Sequence, residues 1–258
     1  MLNKSNMDKE LIKKRFAKAK NTYNQHATVQ KQVADKMINL ISNVCKSDID
    51  NALEIGCGTG FLTERLVNNL QINTLLVNDI SEEMVAECMK LEQNGVSMGS
   101  IVGDAESIQM PSDLCLIASC STIQWFTDPS LFLNTACNNL KKGGVIAISS
   151  FGKSNMKELK EVTNSGIAYK SLSELTDIIG KQCDIITAEE EELTMEFDTP
   201  IDVLRHIKST GTNGLKAKST FSSTQGIESF SRKYSSLFST PNGVSLTYNP
   251  IYIIAKKR

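Results

Sequence analysis

Short apolar runs divide the chain into a repeating series. They stand at Leu53–Ile55, Thr74–Val77, Ser100–Val102, Asp113–Ser119 and Val145–Phe151. Each is short enough, and closely enough followed by a turn signal, to read as a buried strand. Helical segments with recognisable ends lie between them. One follows the first run directly, from Phe61 to Leu70. Another begins at Ser81, a capping residue, with Glu82 and Glu83 suited to its first turn. A third starts at Asp128-Pro129, a cap with proline at the first helical position, and closes at Lys141-Lys142-Gly143-Gly144. Strands alternating with helices in this way predict a mostly parallel α/β sheet with helices on both faces.

The two ends of the chain extend the pattern. Glu10 to Cys45 reads as helical and amphipathic. Cys183 to Phe197 reads as one extended strand and Asn249 to Lys256 as the last, which completes a seven-stranded sheet. Between those two, Pro200 to Pro241 is helical in pattern, interrupted at Gly211 and Gly214. Roughly 40 residues are more than a hairpin connection needs. The expected organisation is a single domain over 1–258, with an N-terminal helical cap at 1–45 and a lid insertion at 200–242 between the last two strands.

Composition narrows the class. The chain has 258 residues, 40% hydrophobic and 22% charged, enough for one large α/β domain. No apolar run approaches the roughly 20 residues that span a bilayer. The polar, lysine-rich start, Met1 to Lys20, carries no secretory core. A cytoplasmic location is therefore expected. The seven cysteines (45, 57, 88, 115, 120, 137 and 183) form no Cys-x-x-Cys pair, which fits reduced thiols. With two histidines, His26 and His206, no zinc site is expected.

Net charge is −1, yet cations cluster. Lys9, Lys13, Lys14, Arg15, Lys18 and Lys20 crowd the first helix; Arg205, Lys208, Lys216 and Lys218 follow later, then Arg232 and Lys233. They read either as solvated helix faces or as a dock for an acidic partner. A lone tryptophan and modest basic content give no stacking platform for nucleic acid.

The chemistry concentrates at Leu53-Glu54-Ile55-Gly56-Cys57-Gly58-Thr59-Gly60. Glycines at alternate positions let the backbone pass close beneath a ligand, and the helix behind them offers free N–H groups. The Gly-x-Gly-x-Gly spacing differs from the Gly-x-Gly-x-x-Gly of dinucleotide folds, which disfavours a nicotinamide oxidoreductase. With Glu54 ahead of it, the motif resembles the S-adenosylmethionine loop of class I (Rossmann-like) methyltransferases. Acids at the next two strand ends support this. Asp79, before Ile80, can accept from a ribose diol. Asp104, before Ala105, can accept from an adenine amino group, and Met84 can form a soft wall for the ring. Cys57 fits the loop because it is small. A helical lid of the kind set out above would exclude water and position the acceptor.

Further blocks are similar to one family within that class. They are Arg15-Phe16 through Tyr23 with His26-Ala27 and Gln30; Ile123-Gln124-Trp125-Phe126; Ser149-Ser150-Phe151-Gly152 with Asn155 and Glu158-Leu159; and Val203 to Gly214. Together they resemble the BioC family, the malonyl-[acyl-carrier protein] O-methyltransferases of biotin synthesis. The chain departs from that pattern at Cys120-Ser121-Thr122, where a Ser-Asn pair is expected. The resemblance implies methyl transfer from S-adenosylmethionine to the free carboxylate of a malonyl thioester, with S-adenosylhomocysteine as product and no metal. It implies an acidic acyl-carrier protein, or malonyl-CoA, as substrate bearer; a monomer is expected, and composition gives no nucleic-acid or membrane partner. An ionised carboxylate needs no general base. Arg205 is then the expected carboxylate holder and Tyr23 the second, as a hydroxyl donor. Gln30 and Gln124 would contact the methionine end of the cofactor, and Trp125 and Phe151 would wall the acceptor pocket. Alternatives are a methyltransferase acting on another small carboxylate or a quinone-type ring, and a cofactor-binding protein without turnover.

Overall fold

The computed structural model describes residues 8–91, 94–211 and 223–258, with 19–22 as backbone only. Two helices come first, α1 (Lys9–His26) and α2 (Thr28–Val44). The sequence predicts one helical segment here; the structure breaks it at Ala27, which leaves the helical region (φ −81°, ψ 49°) while its N–H still donates to the Tyr23 carbonyl. Ala27 is fully buried, so the bend sits against the core. Helix α2 then packs an apolar stripe (Val29, Val33, Met37, Ile41) on the sheet. Helix α1 is free to leave in another direction, and it packs against elements at the opposite end of the chain.

The repeating unit follows: β1 (Ile49–Ile55), α3 (Phe61–Asn69), β2 (Ile72–Asp79), α4 (Glu82–Cys88), β3 (Ser97–Val102), β4 (Leu114–Ser119), a single 3-10 turn (Ile123–Trp125), α5 (Pro129–Asn139) and β5 (Leu140–Phe151). Ser81 caps α4 and Asp128 caps α5. The fifth strand starts earlier than its apolar run, because Leu140 already pairs with Leu114. Next come α6 (Lys157–Thr163), α7 (Leu172–Ile179) and β6 (Cys183–Glu190). The last elements are β7 (Leu193–Phe197), α8 (Pro200–Ser209), α9 (Thr224–Phe238), β8 (Ser239–Thr240), β9 (Gly243–Tyr248) and β10 (Pro250–Lys257).

Seven strands form the main sheet in the order β3-β2-β1-β4-β5-β10-β6, and β10 alone runs antiparallel to its neighbours. Side chains alternate across it. Ala52, Val77, Leu116, Ala147 and Ile254 join the core under α2 and α3. Leu53, Ile55, Ile117, Ile146 and Ile253 join the core under α5 and α7. Both faces are covered, which is why the strands read as continuous apolar runs.

Two sequence expectations change here. Cys183–Phe197 is two strands in two sheets, not one. The chain leaves β10 at Glu191, whose carbonyl and carboxylate are taken by Asn249 and Tyr252. Beyond it, β7 joins β9 and β8 in a small antiparallel sheet. The segment 200–242 therefore falls between β7 and β9 and itself contains β8, rather than lying between the last two strands. Lys216 and Lys218, offered as docking cations, lie outside the described residues, as does the Lys20 side chain.

Candidate active site

The site is built on the carboxyl ends of β1, β2 and β4. After β1 the chain turns through Gly56, which holds φ +72° with the Thr122 side chain where a Cβ would stand. The loop is then pinned from the neighbouring strand: the Gly58 N–H donates to Asp79 Oδ2 at 3.0 Å, and the Ser81 N–H to Oδ1 at 2.9 Å. Burial raises the Asp79 pKa, and these N–H groups oppose the rise. Glu54 is buried beneath the loop and accepts from Thr63 at 2.6 Å. Burial pushes its carboxyl up to about 7.

Two chambers meet over the loop. The larger has an open volume of about 740 Å³. Asp79, Ile80, Met84, Asp104 and Ala105 line one side, and Trp125 and Phe126 another. Lys9, Ile12, Phe16 and Tyr23 of α1 roof it, all on one helix face. Phe16 meets Trp125 edge-on at 5.6 Å. Lys9 pairs with both Asp104 and Glu106. Glu106 in turn accepts from the Thr127 and Asp128 N–H groups, at 2.8 and 2.6 Å. The smaller chamber, about 330 Å³, is lined by Gln30, Glu54, Cys57, Thr59 and Phe61. Tyr23, Gly56, Cys120 and Ser121 line both and mark the junction. Tyr23 stacks on Phe61 there at 5.6 Å, and burial raises its pKa, so the phenol keeps its proton.

The chambers fit S-adenosylmethionine on one observation. Gln30 Oε1 is buried in the small chamber with no hydrogen-bond partner among the described residues. A buried acceptor left unpaired costs about 1–3 kcal/mol, and an ammonium beside Glu54 would satisfy it. The large chamber offers an acid and apolar walls, which suit a ribose and an adenine.

Most residues singled out in the sequence come together here: Tyr23, Gln30, Glu54, Gly56, Cys57, Asp79, Ile80, Met84, Asp104, Ala105 and Trp125. Gly58 and Gly60 shape the loop; Gly60 caps α3. Three do not. Arg205 points outward from α8, is largely exposed, and binds Asp202 one turn away at 2.7 Å. Phe151 is buried in the core against Tyr248, at 6.0 Å, and lines none of the described cavities. Gln124 faces a third cavity and donates to the Ser121 carbonyl. Asp104 is already engaged by Lys9 and the Glu106 N–H. Sequence reasoning named Lys9 only among the docking cations and missed Ile12, although their three-residue spacing and the further step to Phe16 were a signal for one helix face. Cys120 and Thr122 line the large chamber too; the sequence marked them only as the place where the chain departs from the family pattern.

The sheet order, the pinned glycine loop and the paired chambers define a class I methyltransferase fold. Residues 53–148 match the methyltransferase domain family. The solved structure of N-methyltransferase NodS from Bradyrhizobium japonicum WM9, in complex with S-adenosyl-L-homocysteine, shares the fold. Its TM-score is 0.53 at 11% identity, over 92% of this chain and 98% of that one. Curated relatives are closer. Malonyl-[acyl-carrier protein] O-methyltransferase of Bacteroides thetaiotaomicron is 41% identical over 98% of this chain and 99% of its own length. The enzyme of that name from Haemophilus influenzae is 34% identical over 98% and 96%. The chain belongs to the malonyl-[acyl-carrier protein] O-methyltransferase family.

Proposed function

We propose that this chain transfers the methyl group of S-adenosylmethionine to the free carboxylate of a malonyl group held as a thioester on acyl-carrier protein. The product is the malonyl methyl ester, a primer for the pimeloyl part of biotin. The observation that carries the reading is the 41% identity running the whole length of both chains. The site is consistent with it.

When bound, S-adenosylmethionine supplies a methyl on a sulfonium, an electrophile that needs no further activation. Glu54 and Gln30 would hold its ammonium end, Asp79 its ribose, and Ile80, Met84 and Ala105 its base. Tyr23 and Ser121 stand at the junction of the chambers, where a protonated Tyr23 can donate to an incoming carboxylate. A carboxylate is ionised at neutral pH and needs no base. The work left to the protein is alignment and exclusion of water, and alignment alone can lower the barrier by roughly 7–11 kcal/mol. Residues 1–45 act in this reading as the cap and 200–242 as the lid, and the enzyme works in the cytoplasm. Among the described residues, no helix is long and apolar enough to cross a membrane.

Release of S-adenosylhomocysteine, measured with malonyl-, acetyl- and butyryl-carrier protein, tests the reading. Turnover with malonyl alone is expected. Equal turnover with acetyl or butyryl carrier would mean that the carboxylate is not the acceptor.

A further inference from the structure

A third cavity remains after the cofactor chambers are assigned. It is a groove of about 1060 Å³ between the 3-10 turn, the start of α5, the end of β5 and the segment 167–170 that leads into α7. Its inner end lies against the cofactor chambers, and Phe126 lines both. Gln124 stands at that inner end. Its Nε2 donates to the Ser121 carbonyl at 2.6 Å, and Ser150 Oγ donates to its Oε1 at 3.3 Å. Ser121 itself lines the junction of the two chambers. One glutamine therefore links the groove to the place where the methyl must be passed.

Resting on the function proposed above, we infer that this groove is the channel for the phosphopantetheine arm of the acyl-carrier protein. A pantetheine arm is a chain of amides with a hydroxyl and a branched apolar section. The groove offers both kinds of surface, with Ile167, Ala168 and Leu175 among polar side chains. Tyr169 is the donor within it. Asn155 Nδ2 donates to the Tyr169 oxygen at 2.8 Å. The orientation of that amide is fixed from its other side, since Asn155 Oδ1 accepts from the Asn249 N–H at 3.1 Å. The Tyr169 oxygen is thus an acceptor from Asn155, and its own proton has no partner among the described residues. Burial raises its pKa to about 12, so the proton stays in place as a donor to an amide or thioester oxygen.

Charge in the groove wall fits a phosphodiester. Lys170 lines the groove and makes no ion pair among the described residues. The acids nearby are already committed. Glu174 accepts from the Ser171 N–H at 2.9 Å and pairs with Lys153 at 2.9 Å. Asp128 accepts from the Leu131 N–H as the α5 cap.

Ala168 is exposed in the groove wall, so Ala168→Trp can obstruct the channel without disturbing the core. With malonyl-carrier protein, kcat/KM is expected to fall about tenfold or more, a loss of about 1.4 kcal/mol in transition-state stabilisation. Binding of S-adenosylmethionine, read by calorimetry, is expected to be unchanged. Turnover of a short malonyl thioester that lacks the pantetheine arm is also expected to be unchanged. Tyr169→Phe is expected to lower kcat/KM for the carrier substrate by about three- to tenfold, the worth of one hydrogen bond. Full activity of Ala168→Trp on malonyl-carrier protein would overturn the inference. So would equal losses on carrier and short thioester, which would put the obstruction at the reacting carboxylate. A wild-type enzyme inactive on malonyl-carrier protein would instead remove the function on which the inference rests.

Discussion

Glu54 shows how much one buried carboxylate can decide. Its proton leaves at about pH 7, well above the ordinary range, because burial penalises the charge. In the binding mode proposed above, a cofactor ammonium beside Glu54 favours the ionised form and lowers that pKa on binding. Binding must then release a proton wherever the free protein still holds it. Affinity for S-adenosylmethionine is expected to fall as pH drops through about 7, by up to tenfold per pH unit below it. Glu54→Gln is expected to bind more weakly at pH 8 and to lose this dependence. Calorimetry between about pH 6 and 8, in buffers of different ionisation enthalpy, measures both effects. An unchanged slope in the variant would assign the proton to another group.

At this scale the residues that gather around the glycine loop were legible, and the places of Arg205 and Phe151 were not. Glu54, the glycines and Asp79 announce themselves because a strand end fixes each of them relative to the next. Arg205 was chosen for its chemistry within a matched block. Chemistry alone does not say which face of a helix a residue occupies, and a partner one turn away, Asp202, holds it at the surface. Phe151 belongs to a strand whose neighbours alternate between two cores, and its place in the alternation put it inside.

The element that matters most is α1. Its Lys9, Ile12, Phe16 and Tyr23 roof the large chamber, and its far end is tied down through Asn24, which accepts from Thr59 of the glycine loop at 2.7 Å. Lys9 fastens the near end to Asp104 and Glu106. Exposed or half-exposed ion pairs add little to global stability, but this one spans elements nearly a hundred residues apart. Lys9→Met is expected to leave the melting temperature within a few degrees. It is also expected to speed S-adenosylmethionine dissociation and raise hydrogen exchange in residues 9–26. Unaltered exchange and dissociation would mean that the aromatic contacts, Phe16 on Trp125 above all, hold the helix alone.

The break at Ala27 was hidden in the sequence for a physical reason. Alanine favours helices, and the bend comes from burial of Ala27 against the core rather than from a breaker residue. The division of β6 from β7 was hidden too. Both have strand-like sequence, and only the contacts of Glu191 with Asn249 and Tyr252 show where the chain changes sheets. By contrast, the capped starts of α4 and α5 could be read directly, since Ser81 and Asp128 make the hydrogen bonds their positions promise.

Across the whole molecule, function follows from where connections meet. The sheet order reverses between β1 and β4, and ligands gather at the carboxyl ends of strands at such a reversal. The cofactor chambers lie on the β1–β2 side of it and the groove on the β4–β5 side, with Ser121 and Gln124 between them. If the groove takes the carrier arm, as inferred above, two substrates approach from different directions and meet at one point. If acceptor and cofactor have separate routes, S-adenosylhomocysteine should inhibit competitively with S-adenosylmethionine and noncompetitively with malonyl-carrier protein. Competition with both substrates would mean a shared route.

The most direct measurement is the mass of malonyl-carrier protein, and of its ejected pantetheine fragment, after incubation with enzyme and S-adenosylmethionine. The expected result is one added methyl on the malonyl group, on a fragment that no longer loses carbon dioxide as a free malonyl carboxylate does, and none on acetyl-carrier protein. An added methyl on a fragment that still loses carbon dioxide, or a methyl on the acetyl carrier, would contradict transfer to the free carboxylate.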